Sequence, residues 1–466
     1  MKWAEGIDKL GIFLYLAISL FAIANIYSVD EGLGTKQFIF FGISLVVGLV
    51  IFTMRTKFFE NFAVVFFILG VVSLLGLHVL GSEIKGQKNW YKIGGFTIQP
   101  VEFAKIGISL MLASYVSGPD FNLNNRKSML TTLAIIGVPA IAVLSIPDVG
   151  SLLVFAAFVI ALYREGLSGW LFGVGLGIGT IFFSAISLGN FNVTLFIGII
   201  GNFTLILFLS QKRITLISIF ILILAEIIIL SLFNTDRLLL LKIIFGIFNL
   251  SILFLFGKAI LNIIDGKENI YFLIKAFGII LLFSFLGSIS LYSNEIMKKL
   301  PKHQRERIEV LYKGEKAFRD TSGYNLLYSK TAIGSGGFWG KGYKQGSVTQ
   351  GKFVPEQETD YIFCTVGEEW GFLGSTLLVL FYAIYIGRIY YLSEQQKTTF
   401  NIVFGYCFAS ILLMHFVINL GMVMGLFPTV GIPLPYFSYG GSSLLAFSIM
   451  TAIFFKLNYA DKNSLV

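Results

Sequence analysis

The chain has 466 residues, 56% of them hydrophobic and 13% charged, with a formal net charge of +9 and a mean hydropathy of +0.81. Apolar runs long enough to cross about 30 Å of hydrocarbon recur along it, which excludes a soluble globular protein and predicts an all-α, polytopic transmembrane bundle. Two cysteines, both in apolar runs, and only three histidines argue against a disulfide scaffold and against a thiolate or histidine-rich metal centre.

The first apolar run starts at Gly11. No small-residue cleavage site follows it, so it is read as a span and not as a removed signal. Fourteen spans are expected, near 11–28, 37–53, 62–80, 101–117, 129–146, 149–163, 169–188, 193–210, 214–233, 238–257, 276–293, 361–387, 400–424 and 441–456. With a cytoplasmic N-terminus, the short inside loops hold Arg55, Lys57, Arg126, Lys127, Arg164, Lys212, Arg213, Lys258, Lys267, Lys275, Arg388 and Lys397. The short outside loops hold only Lys36, Lys85, Lys88, Lys92 and Arg237. The asymmetry predicts both termini inside and the long polar loop outside. The expected organisation is therefore an N-terminal membrane part (1–188), inserted hairpins (189–275), a core span (276–292), a large extracytoplasmic loop (293–360) and a closing membrane part (361–466). The positive charge lies in cytoplasmic anchors and in that loop, and it points to no nucleic acid.

Charged groups inside apolar runs are costly and mark function or internal pairing. Glu102 and Lys105 are three residues apart on one helical face behind Pro100, so they can pair. The pair either faces substrate near the outer membrane edge or ties spans together. Asp148, in Ile146-Pro147-Asp148-Val149-Gly150, either caps the next helix or sits at the mouth of a cavity. Glu226 stands alone in the insert and is read as structural. The run Gly431-Ile-Pro-Leu-Pro435-Tyr-Phe-Ser438-Tyr-Gly-Gly-Ser442 cannot form a regular span. Such backbone survives at membrane depth only when buried in protein or lining a wet cavity, and the hydroxyls of Ser438 and Ser442 are candidates for the lining.

In the loop, Asp320 precedes Thr-Ser-Gly-Tyr and is either a turn aspartate or a general base toward a hydroxyl. Lys302, Arg305, Arg307, Lys330 and Lys341 supply cations, suited to phosphate oxygens or to a solvated basic surface. Gly334-Ser-Gly-Gly-Phe-Trp-Gly340-Lys341 is no phosphate loop, because Ser335 stands where that motif needs glycine. Five carboxylates, Glu356, Glu358, Asp360, Glu368 and Glu369, surround the return into the membrane. Asp360 suits a helix N-cap, whereas Glu368 and Glu369 need cationic or backbone donors.

Several strings together resemble the SEDS family (shape, elongation, division and sporulation) and cover the chain from about residue 80 to 456. They are Lys85-Gly-Gln-Lys-Asn-Trp90, Gln99-Pro-Val-Glu102-Phe-Ala-Lys105, Pro147-Asp148-Val-Gly150, Gly334-Ser-Gly-Gly337, Pro355-Glu-Gln-Glu-Thr-Asp360, Gly367-Glu-Glu-Trp-Gly371 and Pro428-Thr-Val-Gly-Ile-Pro-Leu-Pro-Tyr-Phe-Ser-Tyr-Gly-Gly-Ser-Ser443. The details are most similar to the elongation branch, the RodA type, as found in Bacteroidetes. The resemblance implies a core of ten spans, to which the insert adds four. It also implies a peptidoglycan glycosyltransferase that polymerises lipid II on the outer face of the cytoplasmic membrane. Implied partners are a class B penicillin-binding protein and other elongation-complex membrane proteins. The family's essential aspartate lies in Asp-Pro-x-Gly-x-Gly-Tyr, and Asp320 is the matching position, in a motif two residues shorter and without the proline.

On that resemblance Asp320 is the expected base. Lys105 and Arg305 would stabilise the pyrophosphate leaving group, with Lys330 or a divalent cation (Mg or Mn) sharing the task. Glu102, Asp148, Lys302, Glu356, Asp360, Glu369, Ser438 and Ser442 complete the expected substrate-binding set. Two other classes stay open. A lipid II flippase needs a polar path through the whole membrane. A scaffold for the transpeptidase predicts that Asp320 and Arg305 tolerate replacement.

Overall fold

A computed structural model describes residues 6–84, 87–94, 96–146, 148–189 and 270–463, with positions 193, 196, 197, 200 and 204. Glu226, Pro147 and the spans expected at 214–233 and 238–257 lie outside the described residues, as does most of 193–210. The described residues form two compact units, one of Met1–Ser168 with Glu306–Val466, the other of Gly169–Arg305.

The first unit opens with α1 (Lys9–Val29) and α2 (Glu31–Thr53). One residue separates them and serves both. The Asp30 amide closes α1 on the Ile26 carbonyl at 2.9 Å, and its carboxylate accepts from the Leu33 amide at 3.0 Å to start α2. A short α3 (Thr56–Asn61) precedes α4 (Ala63–Leu80). Helix α5 (Pro100–Val116) begins on Pro100, whose missing N–H costs nothing in a first turn. Helices α4 and α5 pack backbone to backbone: a Cβ on Gly107 would lie 2.6 Å from the Phe66 carbonyl oxygen.

Next come α6 (Arg126–Leu144), α7 (Val149–Phe155) and α8 (Ala157–Arg164). The single span expected at 149–163 is thus two short helices meeting at Ala156. Helix α9 (Trp170–Leu188) and α10 (Ile270–Lys299) belong to the second unit, where Ala185, Val193 and Ile197 pack with Phe283 and Leu286. Helix α11 (Lys302–Lys313) leads back into the first unit.

The long loop is helical for much of its length. A 3-10 turn (Glu315–Phe318) is followed by α12 (Tyr324–Ser335), α13 (Ser347–Gln350) and α14 (Ile362–Glu369). Three helices close the unit: α15 (Gly371–Glu394), α16 (Thr399–Met424) and α17 (Gly441–Asn463). The span expected at 361–387 breaks at Trp370. Gly371 takes φ +63°, a conformation closed to ordinary side chains, so the buried α14 ends there and the spanning helix starts.

Among the described residues seven helices are long and apolar enough to cross a membrane: α1, α2, α4, α6, α15, α16 and α17. The apolar windows of α16 and α17 are 72% buried, against 22% for α2 and α4, which puts the former at the centre and the latter at the periphery. A small antiparallel sheet, in the order β1-β2-β3, fills the connection between α4 and α5: β1 (Ser82–Ile84), β2 (Gln87–Ile93) and β3 (Phe96–Ile98). Its pairs include Tyr91 with Ile98, and the Tyr91 hydroxyl donates to the Ser73 carbonyl at 2.7 Å, which fastens the sheet to α4.

Alternation of the helices sorts the connections of this unit into two ends. At one end Lys344 pairs with Glu31, Asn89 meets Asp148 and Arg307 meets the Thr429 carbonyl. At the other, Arg388 pairs with Asp8 at 2.5 Å, Arg164 with Glu394 at 3.3 Å, and the Lys397 amide donates to Asp461. Residues 306–360 therefore belong to the end that also holds Asp30, the sheet, the start of α7 and the proline-rich segment.

Candidate functional site

At the loop end, the return segment 356–361 and the proline-rich segment 428–440 are laced together. Asn419, on α16, donates to the Asp360 carbonyl at 3.0 Å and to the Ile432 carbonyl at 2.7 Å. The Tyr439 amide donates to the Glu358 carbonyl at 2.8 Å, and the hydroxyls of Tyr361 and Thr429 are 2.8 Å apart. Arg307 donates to the Thr429 carbonyl at 3.0 Å. Helix α7 closes on the same segment, since a Cβ on Gly150 would come 2.7 Å from the Val430 carbonyl oxygen. Asp148 caps α7 through the Ser151 amide at 2.9 Å and accepts from Asn89 at 3.2 Å. Asp148 is thus the helix cap, and its carboxylate also reaches the sheet beside a small cavity lined by Asn89, Val101 and Ile146.

The proline-rich turn survives because protein buries it. Tyr436 takes φ +65°, a strained backbone for a bulky residue, and its hydroxyl bonds Thr451 at 2.8 Å among Tyr15, Tyr385 and Phe447. Tyr382 donates to the Pro435 carbonyl. Ser438 accepts from the Leu434 amide at 2.8 Å and Ser442 from the Gln99 amide at 3.4 Å. Both serines are buried, so their hydroxyls hold the turn and the start of α5 in this conformation.

Glu102 and Lys105 form the internal pair, 2.9 Å apart and 2% and 1% exposed. The sequence reading missed a third member, His415 on α16, whose Nε2 lies 2.7 Å from Lys105 Nζ. His415 Nδ1 faces the Pro433 carbonyl at 2.9 Å. A carbonyl only accepts, so Nδ1 carries the proton and Nε2 is left to accept from the ammonium. The Phe447 ring completes the enclosure, 5.0 Å from Nζ. Lys105 therefore ties α5 to α16 and to the proline-rich turn. A polar residue within an apolar helix was the available signal, the same one that marked Glu102.

Glu368 is fully buried and collects five donors. They are the Val348 and Thr349 amides at 2.9 and 2.8 Å, the Thr349 hydroxyl at 2.8 Å, the Ser347 hydroxyl at 3.3 Å and Lys341 Nζ at 2.7 Å. Burial alone raises its pKa, but the Lys341 ammonium and the amides outweigh burial and hold it below the usual glutamate range. Glu369, also buried, accepts from Ser28 at 2.6 Å and so binds the loop to α1. Both glutamates thus have the donors that the sequence required. The glycine-rich run is tightly turned, not loose: a Cβ on Gly336 would lie 2.0 Å from the Gly367 carbonyl oxygen, and one on Gly340 2.2 Å from that of Glu369.

Asp320 stands exposed in the turn between the 3-10 segment and α12. The turn is fixed from both sides. The Gly323 amide donates to the Phe318 carbonyl at 3.0 Å, and Ser322 donates to Glu306 at 3.0 Å. Among the described residues the Asp320 carboxylate makes no hydrogen bond or ion pair. Lys330 is exposed on α12, with its ammonium 3.3 Å from Glu315 and beside Gly425. The Glu315 carboxyl is lowered, first by a backbone bond and then by Lys330. Glu356 takes φ +57° at the head of the return segment, where the Asp360 amide donates to its carbonyl at 3.0 Å. Lys302 and Arg305 lie in the first turn of α11, within the second unit. Of the predicted set, the loop end of the first unit thus gathers Asp148, Asp320, Lys330, Glu356, Asp360 and Glu369, with Arg307 added. Among the described residues no three His, Cys, Asp or Glu side chains converge as ion ligands.

Comparison with known proteins agrees along nearly the whole chain. A family model described as "Cell cycle protein", of the FtsW, RodA and SpoVE proteins, matches residues 4–197 and 211–463. The peptidoglycan glycosyltransferase MrdB of Escherichia coli K12 is 25% identical over 443 residues, spanning 94% of this chain and 90% of that protein. The peptidoglycan glycosyltransferase RodA of Treponema pallidum is 27% identical over 473 residues, with 98% and 99% covered. Two solved structures share the fold. One, from work on how a peptidoglycan synthase complex coordinates polymerization and crosslinking, has a TM-score of 0.62 at 20% identity and covers 98% of each chain. Thermus thermophilus RodA has a TM-score of 0.55 at 20% identity, covering 99% of each.

Proposed function

Because this chain belongs to the FtsW/RodA/SpoVE family of cell cycle proteins, we propose that it is a peptidoglycan glycosyltransferase that polymerises lipid II during elongation and shape maintenance. The observation that carries the reading is Asp320. The family resemblance matches it to the essential aspartate, in a motif two residues shorter, and its carboxylate is exposed on a turn pinned by Gly323 and Ser322. An unpartnered carboxylate on a rigid turn can take up a proton and can be approached by a large substrate.

Asp320 takes the proton of the GlcNAc 4-hydroxyl of one lipid II as that oxygen attacks C1 of the MurNAc at the end of the growing strand. The new C1–O bond forms as the bond to pyrophosphate breaks, with inversion from α to β. Undecaprenyl pyrophosphate departs with the bonding electrons, and Asp320 passes its proton to water. General-base help of this kind is worth about 10²–10⁴-fold in rate. Of the cations assigned to the leaving group, Lys330 is exposed and can reach a pyrophosphate. Lys105 is sealed behind Glu102 and His415, so its contribution in this conformation is to hold α5, α16 and the proline-rich turn together. The undecaprenyl tails stay in the bilayer beside the spans.

The charge asymmetry of the short loops supports a loop end that faces away from the cytoplasm, with the reaction on the outer face of the cytoplasmic membrane and both termini inside. A class B penicillin-binding protein supplies the crosslinking step. The test is polymerisation of labelled lipid II by the purified protein, with and without its class B partner, comparing wild type with Asp320→Asn. Glycan strands from wild type and about 10²-fold fewer, or none, from a folded Asp320→Asn protein are expected. Equal strands from both remove Asp320 from the base role. None from either, with a verified partner present, turns the reading to flippase or scaffold.

A further inference from the structure

The proposed chemistry leaves one feature of the loop unused. Phe338 is 53% exposed and Trp339 76%, yet both sit on a rigidly held turn. The Phe372 amide donates to the Gly337 carbonyl at 2.9 Å and the Leu373 amide to the Phe338 carbonyl at 3.1 Å. The Lys341 and Gly342 amides reach back to the carbonyls of Glu368 and Glu369 at 2.9 and 3.0 Å. Contact is so close that a Cβ on Gly371 would come 2.3 Å from the Gly340 nitrogen.

These bonds fix the height of the turn. Phe372 and Leu373 are the second and third residues of α15, a 24-residue helix long and apolar enough to span the membrane. The turn therefore lies level with the head of a span. The Phe338 ring stacks on Phe372, with centroids 5.8 Å apart and planes 29° apart. Phe372 heads an exposed apolar stripe, continued by Leu373, Leu377, Leu380 and Ile384 at helical spacing. Phe338 and Trp339 prolong that stripe beyond the first residue of the span. The polar side of the same turn carries Lys341, paired with Glu368, and Lys344, paired with Glu31 and lying over the Tyr27 ring. Aromatic rings flanked by lysines, at the height where a span begins, match the boundary between headgroups and acyl chains.

We propose that the 337–343 turn is an interfacial membrane anchor. Its occupant is lipid: Phe338 and Trp339 lie among the headgroups and upper acyl chains of the outer leaflet. Through the bonds to Glu368, Glu369 and the head of α15, the anchor sets how far the external loop stands from the bilayer. Such an anchor does not depend on the reaction assigned to Asp320. A partner protein's helix seated on the same stripe is the competing occupant.

Both native cysteines are free and buried, so an introduced cysteine can be labelled selectively. The test is Trp339→Cys, carrying an environment-sensitive fluorophore, in the full-length protein reconstituted into lipid nanodiscs without a partner. Lys316→Cys, on the exposed 3-10 turn, serves as the aqueous control. Shallow-labelled quencher lipids should quench the 339 label several-fold more than the 316 label, and aqueous iodide should do the reverse. Phe338→Cys repeats the measurement should Trp339→Cys fail to give monodisperse protein. Iodide quenching at 339 equal to that at 316 overturns the proposal. Protection from iodide that appears only when the class B partner is added, without quenching by lipid, overturns it in favour of a protein interface.

Discussion

Replacing Glu368 by glutamine should loosen the loop without unfolding the membrane bundle. The side chain is fully buried and accepts from two amides, two hydroxyls and Lys341. Glutamine keeps the volume, but it removes the charge and turns one acceptor into a donor facing another donor. One buried amide, Val348 or Thr349, is then left without an acceptor, which costs about 1–3 kcal/mol. Loss of charge assistance in the remaining bonds brings the total to about 3 kcal/mol. At 1.4 kcal/mol per decade, the open population of this segment should rise about 100-fold. Hydrogen exchange of the Val348 and Thr349 amides reports it directly. Those amides should exchange about 100-fold faster in Glu368→Gln, by the same arithmetic, while α16 is unaffected. Exchange unchanged within a factor of about 3, or roughly 0.6 kcal/mol, would refute the assignment of Glu368 as the fastening of the loop. The pH dependence has a definite sign. The folded-state pKa is depressed, so the contribution is present above the ordinary value of 4.5 and is lost as pH falls through the lower folded value. Thermal stability of wild type and Glu368→Gln should therefore differ at neutral pH and converge on acidification.

Three further outcomes are expected. Glu102→Gln leaves the Lys105 ammonium buried without its carboxylate, beside the neutral His415 ring and the Phe447 face, so it should destabilise by about 3–5 kcal/mol, read as a lower Tm in detergent; an unchanged Tm would mean that Lys105 is neutral in the fold. His415→Ala opens a void beside Phe447 and frees the Pro433 carbonyl, and a loss of about 2–5 kcal/mol should appear in the same assay. Gly340→Ala combines φ +83° with a Cβ 2.2 Å from the Glu369 carbonyl oxygen, so limited proteolysis should cut the 334–346 segment faster than in wild type; equal protection would show that the glycine clasp can yield.

Much of this protein is written in its composition. Apolar runs bounded by charge must become helices in hydrocarbon, because no other open structure satisfies the backbone there. Among the described residues most span boundaries accordingly fall within a few residues of their expected places. The Glu102–Lys105 pairing follows from helical spacing alone, and Asp148 as a cap follows from the proline and glycine around it. Asp320 came from a family motif and not from its own surroundings. What the chain could not disclose was which polar groups share a cavity. His415 is 310 positions from Lys105 and Arg307 is 122 from Thr429, and no local pattern encodes such distances. Nor could it show that the glycines at 334–342 form a clasp, since glycine permits both looseness and close approach and only the facing backbone at 367–373 decides between them. The break at Trp370 has the same origin: hydropathy measures transfer from water and is blind to a break that backbone contact with the 337–342 turn imposes on an apolar run. Local chemistry determined which residues enter the membrane. Tertiary packing decided which buried charges meet, because a charge taken out of water must find its partner wherever the fold brings one.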